Sequence, residues 1–147
     1  MPVRVATTAW QGGLHDGAGT TSASSSGVGS FPVSFPRRAA DSAEGVTSPE
    51  ELIAMAHSAC LAMQLSALIS EHGATSVQLD VTAEVALGPD PAGGFRLMGI
   101  DLAVTGSAAG LDAGAFAELT ETAKRICPVS KALTGVEISL ATTFVPA

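Results

Sequence analysis

Hydrophobic and polar positions change period several times along the chain, and each change predicts an element. Val3 to Trp10 alternates and reads as a strand, followed by turn chemistry at Gly12-Gly13 and Asp16-Gly17. The tract A-G-T-T-S-A-S-S-S-G, residues 18 to 27, has the composition of a linker. Thr and Ser suit a sheet, however, and the flanking turns suit a hairpin, so it is read as a second strand. A third strand is expected from about Val28 to Phe35. Pro32 has no N–H for a ladder and restricts that strand to an edge or a bulge.

The period then lengthens to that of a helix. Ser48 is a good N-cap, Pro49 takes the first helical position, and Glu51 completes a capping box with Ser48. Apolar residues continue through Leu52, Ile53, Met55, Ala56, Ala59, Leu61, Met63, Leu65 and Leu68 until Gly73 stops them. This is roughly 36 Å of helix, apolar on nearly all sides in its middle and therefore expected to be a buried central element. Two strands follow, Val77 to Leu87 and Phe95 to Val104, joined by the loop G-P-D-P-A-G-G. A second long helix is expected from near Asp112 to about Ile126. A short helical turn runs from Pro128 through Leu133 to Gly135, and the last strand is Val136 to Val145. The order βββ–α–ββ–α–β is α+β, in a single domain over residues 1–147 with no internal repeat.

Composition narrows the function. With 46% apolar and only 14% charged residues the chain is not disordered, and with 4% aromatics its core must be aliphatic. A net charge of -7 argues against a nucleic-acid partner, which needs basic patches. No apolar run reaches the ~18 residues of a membrane span, so no membrane is expected. The start M-P-V-R-V-A lacks a signal peptide's apolar stretch, and cytoplasm is the expected compartment. There, two cysteines point to redox, catalytic or metal chemistry before a structural staple.

Cys60 lies mid-helix among Ala, Met and Leu, where burial would raise its pKa and leave it inert unless a cation approaches. His57 is three residues earlier on the same face, where it could act on Cys60 or be a core or interface histidine bonded to backbone. Arg37 and Arg38 follow an apolar strand, where a guanidinium could reach the helix or lie in a solvated loop. Glu50 is free to orient an arginine, or is simply a first-turn acid favoured by the helix dipole. Glu50 and Cys60 are ten residues apart, hence ~15 Å along one axis and ~80° in azimuth. If both serve one site, two copies must bring them together across a two-fold axis. Cys127 precedes Pro128 at a helix start, where free amide donors favour a thiolate, or it is a small apolar residue at a kink. His57 and Cys60 with scattered His15, His72 and Cys127 make a weak metal set. No nucleophile elbow and no phosphate loop is present.

The run T-S-P-E-E-L-I-A-M-A-H-S-A-C (Thr47 to Cys60) and the run C-P-V-S-K-A-L (Cys127 to Leu133) resemble the OsmC/Ohr family. These are the osmotically inducible protein C and organic hydroperoxide resistance proteins. The segment A-W-Q-G-G-L-H-D-G-A-G-T-T (Ala9 to Thr21), with Glu50-Glu51 and Ala56-His57, is similar to the OsmC branch. The resemblance implies an intertwined α+β homodimer and a thiol-dependent peroxidase that needs no cofactor. Organic hydroperoxides would be its substrates, hydrogen peroxide a weaker one, and a dithiol such as a dihydrolipoyl group its reductant. Cys60 matches the peroxidatic cysteine, Cys127 the resolving one, Glu50 the catalytic glutamate, and Arg38 the arginine, with Arg37 as the alternative. A Cys60–Cys127 disulfide would close the cycle. Met63 and Phe35 are expected to bind the substrate's apolar part. The alternative is a non-catalytic or regulatory member that binds small molecules on the same scaffold. A dimer whose cysteines only lock the fold is the other.

Overall fold

Alternation and turn chemistry at the N-terminus give a three-stranded antiparallel sheet in the order β1-β2-β3. In the computed structural model, which describes residues 1–146, these strands are β1 Thr7–Gln11, β2 Ala18–Ser22 and β3 Ser30–Val33. The last position of the expected 1–147 domain lies outside the described residues. β1 starts later than its alternation suggested, and the Val5 N–H bonds the Ser25 hydroxyl instead of a strand. The β1–β2 turn is closed by Gly17 N–H donating to the Gly13 carbonyl at 2.9 Å. A Cβ on Gly17 would stand 2.2 Å from that carbonyl oxygen, so the turn needs glycine.

The 18–27 tract is only half strand, because β2 ends at Ser22 and the remainder turns back toward β3. Pro32 sits on the edge strand, as its missing donor requires, and its carbonyl accepts from the Thr47 N–H at 3.0 Å. A one-turn helix, α1 Phe35–Arg38, replaces the expected end of the third strand. Ser34 caps it by accepting from the Arg37 N–H, and Pro36 is pre-set for a first turn.

The long helix α2 spans Pro49–Glu71. Ser48 Oγ accepts from the Glu51 N–H at 3.1 Å, which is half of the expected capping box. The other half is absent, since the Glu51 carboxylate accepts from the Thr47 hydroxyl. At the far end Gly73 takes a φ of +91°, with Ala74 N–H on Ile69 O and Gly73 N–H on Ser70 O. That is a Schellman stop.

The chain divides into two compact units, Met1–Leu52 and the remainder from Ile53. In the second unit β4 Thr75–Pro89 and β5 Phe95–Ala109 form a long antiparallel hairpin, each longer than its apolar run. Asp90 closes its loop by accepting from the Ala92 and Gly93 amides. Helix α3 Ala113–Ile126 is capped by Asp112, whose carboxylate accepts from the Ala115 N–H at 2.8 Å. After α4 Pro128–Ala132 the chain enters β6 Ile138–Phe144, which pairs parallel to β5. The α+β order therefore contains one β-α-β crossover. Ile100, Leu102, Val104 and Ala108 on β5 pack with Phe116 and Ala123 on α3 and with Leu61, Leu65 and Ile69 on α2. Gly106 permits this contact, because its missing Cβ would lie 2.7 Å from Leu79 and 2.8 Å from Phe116.

Two expectations for α2 need correction. The helix is not buried all round: His57, Leu61, Leu65 and Ile69 form one buried stripe, while Met55 is 54% and Met63 72% exposed. Four-residue spacing puts the stripe on one side, and a single sheet can cover only that side. By length and a mean hydropathy of 1.7, α2 is also apolar enough to cross a membrane, although no run of that kind was expected. Its buried stripe belongs to the core of the second unit.

Candidate active site

Local structure brings the two cysteines together inside the second unit. α2 carries Cys60 one turn after His57, and the break between α3 and α4 carries Cys127. Pro128 enforces that break, since it cannot continue α3 but suits the first turn of α4. The two Sγ atoms are 3.2 Å apart, with both cysteines free, Cys127 buried and Cys60 half-buried.

Their electrostatics differ. Burial pushes the Cys60 thiol up, the Val129 amide opposes this, and the neighbouring Cys127 adds to the rise. Burial also pushes Cys127 up, but there it is outweighed. The Ser130 amide, the Cys60 thiol, the Ser130 hydroxyl and the Val129 amide all favour the thiolate and bring Cys127 below its ordinary value. Amide donors at the start of α4 favour negative charge on Cys127. The net direction at Cys60 is upward, burial being the largest cause.

His57 is fully buried, and its Nε2 lies 2.7 Å from Ser130 Oγ. It is a core histidine, bonded to a side chain rather than to backbone. Burial lowers its pKa and keeps it neutral. Ser130, the partner of His57, was not singled out from the sequence. The signal was present in C-P-V-S, whose serine falls three residues after the cysteine, on the same face of a short helix.

In the first unit Arg38 and Glu50 form a forked ion pair. Arg38 Nη2 donates to Glu50 Oε1 at 2.7 Å, and Nε donates to both carboxylate oxygens at 3.1 Å. The one-turn helix α1 turns Arg38 toward Glu50, while Arg37 pairs with Glu44 at 2.5 Å near the surface. Of the two candidate arginines, Arg38 is the one on Glu50. Burial pushes the Glu50 carboxyl up, but Arg38, the Glu50 amide and the Ser48 hydroxyl hold it below the ordinary carboxylate range. Its hydrogen bond to Glu50 raises Arg38 correspondingly. Such a fork fixes a guanidinium in plane and leaves its remaining N–H groups for an anion.

The same unit holds a cavity of about 360 Å³ lined by Trp10, Leu14, Val33, Phe35, Arg38 and Leu52. Phe35 and Arg38 thus line one cavity, and His15 meets Phe35 edge-on at 5.4 Å. Met63 does not line this cavity and stands exposed on α2. Among the described residues, no group of three or more His, Cys, Asp or Glu side chains could hold a metal ion.

Residues 42–141 match the family model described as OsmC-like protein. The chain is 39% identical to the peroxiredoxin OsmC of Escherichia coli (strain K12) over 124 residues, 84% of this chain and 85% of that protein. It is 34% identical to the organic hydroperoxide resistance protein OhrA of Bacillus subtilis (strain 168) over 98 residues, 66% of this chain and 67% of that one. Its fold matches the crystal structure of an organic hydroperoxide resistance protein from Elizabethkingia anophelis with a TM-score of 0.77 at 27% identity, covering 99% of this chain and 98% of the other.

Proposed function

The chain belongs to the OsmC-like protein family, and we propose that it is a thiol-dependent peroxidase in the cytoplasm, reducing organic hydroperoxides and, more weakly, hydrogen peroxide. The observation that carries this reading is the pair of free thiols 3.2 Å apart on two separate elements. The names of the relatives, a peroxiredoxin and a hydroperoxide resistance protein, supply the substrate class.

The cycle begins when the Cys60 thiolate attacks the terminal oxygen of the peroxide. The O–O bond breaks, the alkoxide takes a proton and leaves as alcohol, and Cys60 becomes a sulfenic acid. Cys127 attacks that sulfur, water leaves, and a Cys60–Cys127 disulfide forms. An external dithiol, such as a dihydrolipoyl group, reopens it by exchange. Arg38, held in plane by Glu50, lowers the Cys60 pKa and stabilises the leaving oxygen. Because Glu50 and Cys60 are ten residues apart on one helix, the guanidinium is supplied by a second copy in a homodimer of single OsmC-like domains. Phe35 and the other apolar walls around Arg38 favour an alkyl peroxide, with Met63 contributing from the exposed face of α2.

A steady-state assay with dithiothreitol or dihydrolipoamide tests this. The parent should consume cumene hydroperoxide faster than hydrogen peroxide, and Cys60→Ser should consume neither above the thiol background. Equal consumption by parent and Cys60→Ser would end the peroxidase reading.

A further inference from the structure

Two side-chain rungs join α2 to α4 in the second unit. On α2, His57 and Cys60 are three residues apart, hence about 4.5 Å along the axis and neighbours on one face. Cys127 and Ser130, at the start of α4, are also three apart. The Lys131 N–H closes the turn between them by donating to the Cys127 carbonyl at 3.0 Å. The rungs are Cys60 Sγ to Cys127 Sγ at 3.2 Å and His57 Nε2 to Ser130 Oγ at 2.7 Å. The peroxidase cycle uses the sulfur rung and gives the other no task.

Helix α4 has little else to fix its place. It is five residues long, no side chain caps its start, and Ser130 is its one buried residue. His57 is 0% and Ser130 6% exposed, so solvent does not compete for their bond. The other ring nitrogen, Nδ1, is buried with no hydrogen-bond partner among the described residues. Two apolar side chains of the same shape would fill this space without stranding a polar atom. What the polar pair adds is direction, since a hydrogen bond fixes distance and angle where an apolar contact slides.

We propose that His57, acting through Ser130, is a positioning residue that seats α4 on α2 and thereby holds the Cys127 sulfur beside Cys60 for disulfide formation. Its place in the cycle rests on the peroxidase reading. In that step Cys127, as thiolate, attacks the Cys60 sulfenic sulfur; the S–S bond forms and the S–O bond breaks. The departing hydroxide takes up the proton that Cys127 had released and leaves as water. With the tie in place, the turn that carries Cys127 is already ordered when the disulfide closes. Without it, closing the disulfide must also order that turn, and the lost chain entropy opposes the bond. The tie therefore favours disulfide over dithiol. A bond that only stabilised the fold would stabilise both forms alike.

Equilibration in glutathione buffers measures that ratio and needs no peroxide. His57→Leu, Ser130→Ala and the double variant should each lower the equilibrium constant for the Cys60–Cys127 disulfide about five- to tenfold, the usual worth of one hydrogen bond. The double variant strands no hydroxyl, which separates loss of the tie from the cost of an unpaired group. His57→Gln, whose amide can bond the serine hydroxyl as donor or acceptor, should stay close to the parent. In a single turnover with cumene hydroperoxide, disulfide formation should slow in His57→Leu and Ser130→Ala by the same factor. Circular dichroism checks that each variant is folded. A folded double variant with the parental equilibrium constant would overturn the assignment. So would a folded His57→Gln that falls as far as His57→Leu, or a chain that cannot fold without the pair. A parent that reduces no hydroperoxide would end the proposed function, while the glutathione equilibrium would still decide whether His57 holds the sulfurs together.

Discussion

Cys60 and Cys127 stand 3.2 Å apart with their ionisation driven in opposite directions, up for Cys60 and down for Cys127. Part of each shift is the other residue, and the amides of Val129 and Ser130 favour charge on Cys127 over Cys60. That direction runs against the proposed cycle, in which Cys60 attacks the peroxide. In the proposed cycle a cation beside Cys60 would reverse that order, and Arg38, held in plane by the Glu50 carboxylate, is the one proposed.

Arg38→Ala should accordingly cut peroxide reduction by ~10²- to 10³-fold, the usual cost of removing a preorganised donor from a developing anion. The rate of cumene hydroperoxide consumption measures it. A variant that turns over at the parental rate would remove Arg38 from the cycle.

Cys127→Ser should separate the two halves of the reaction. One equivalent of peroxide should still oxidise Cys60, but no disulfide can follow, and a sulfenic acid should accumulate that dimedone traps and mass spectrometry detects. Trapping in the parent and not in Cys127→Ser would contradict the order of steps. A purely structural role for Cys127 instead predicts a lower Tm with turnover intact.

Much of this was legible in the chain because local chemistry decides it. Ser48-Pro49 starts α2 and Gly73 stops it, Asp112 caps α3, and Pro128 breaks the chain beside Cys127. The turn at Phe35–Arg38 escaped because its apolar residues also suit a strand, and only Ser34 and Pro36 mark it as helical. The parallel pairing of β6 with β5 depends on where the crossover lands, which no local pattern encodes. The burial of α2 was overstated for a related reason. An all-apolar helix signals two faces to cover without saying whether this chain or another covers them. Ser130 escaped because its significance lies in a tertiary contact with His57, 73 positions away.

Met63 carries the test of that second face. It is 72% exposed and Met55 54%, on the side of α2 away from the buried stripe, and a second copy is the proposed cover. Met63→Glu should weaken self-association, seen as a lower mass by light scattering, and activity should fall in step with dissociation. A parent that is monomeric at assay concentration would end the shared-site arrangement.

Stability against acid should fall in two stages. His57 is held neutral by burial, below its ordinary 6.5. The unfolded chain takes up that proton first, so stability is full above about 6.5 and declines as pH falls from there toward the folded value. Burial raises Glu50, but Arg38 and the amide and hydroxyl donors around it bring it below its ordinary 4.5. Its contribution is therefore present above that value and is lost as pH falls through the lower, folded one. Tm measured across pH should show both stages in the parent. His57→Gln should flatten the first and leave the second, and Glu50→Gln should do the reverse. If Glu50→Gln left the acid limb unchanged, the Arg38–Glu50 fork would contribute nothing to folding, and its retention would have to be explained by function alone.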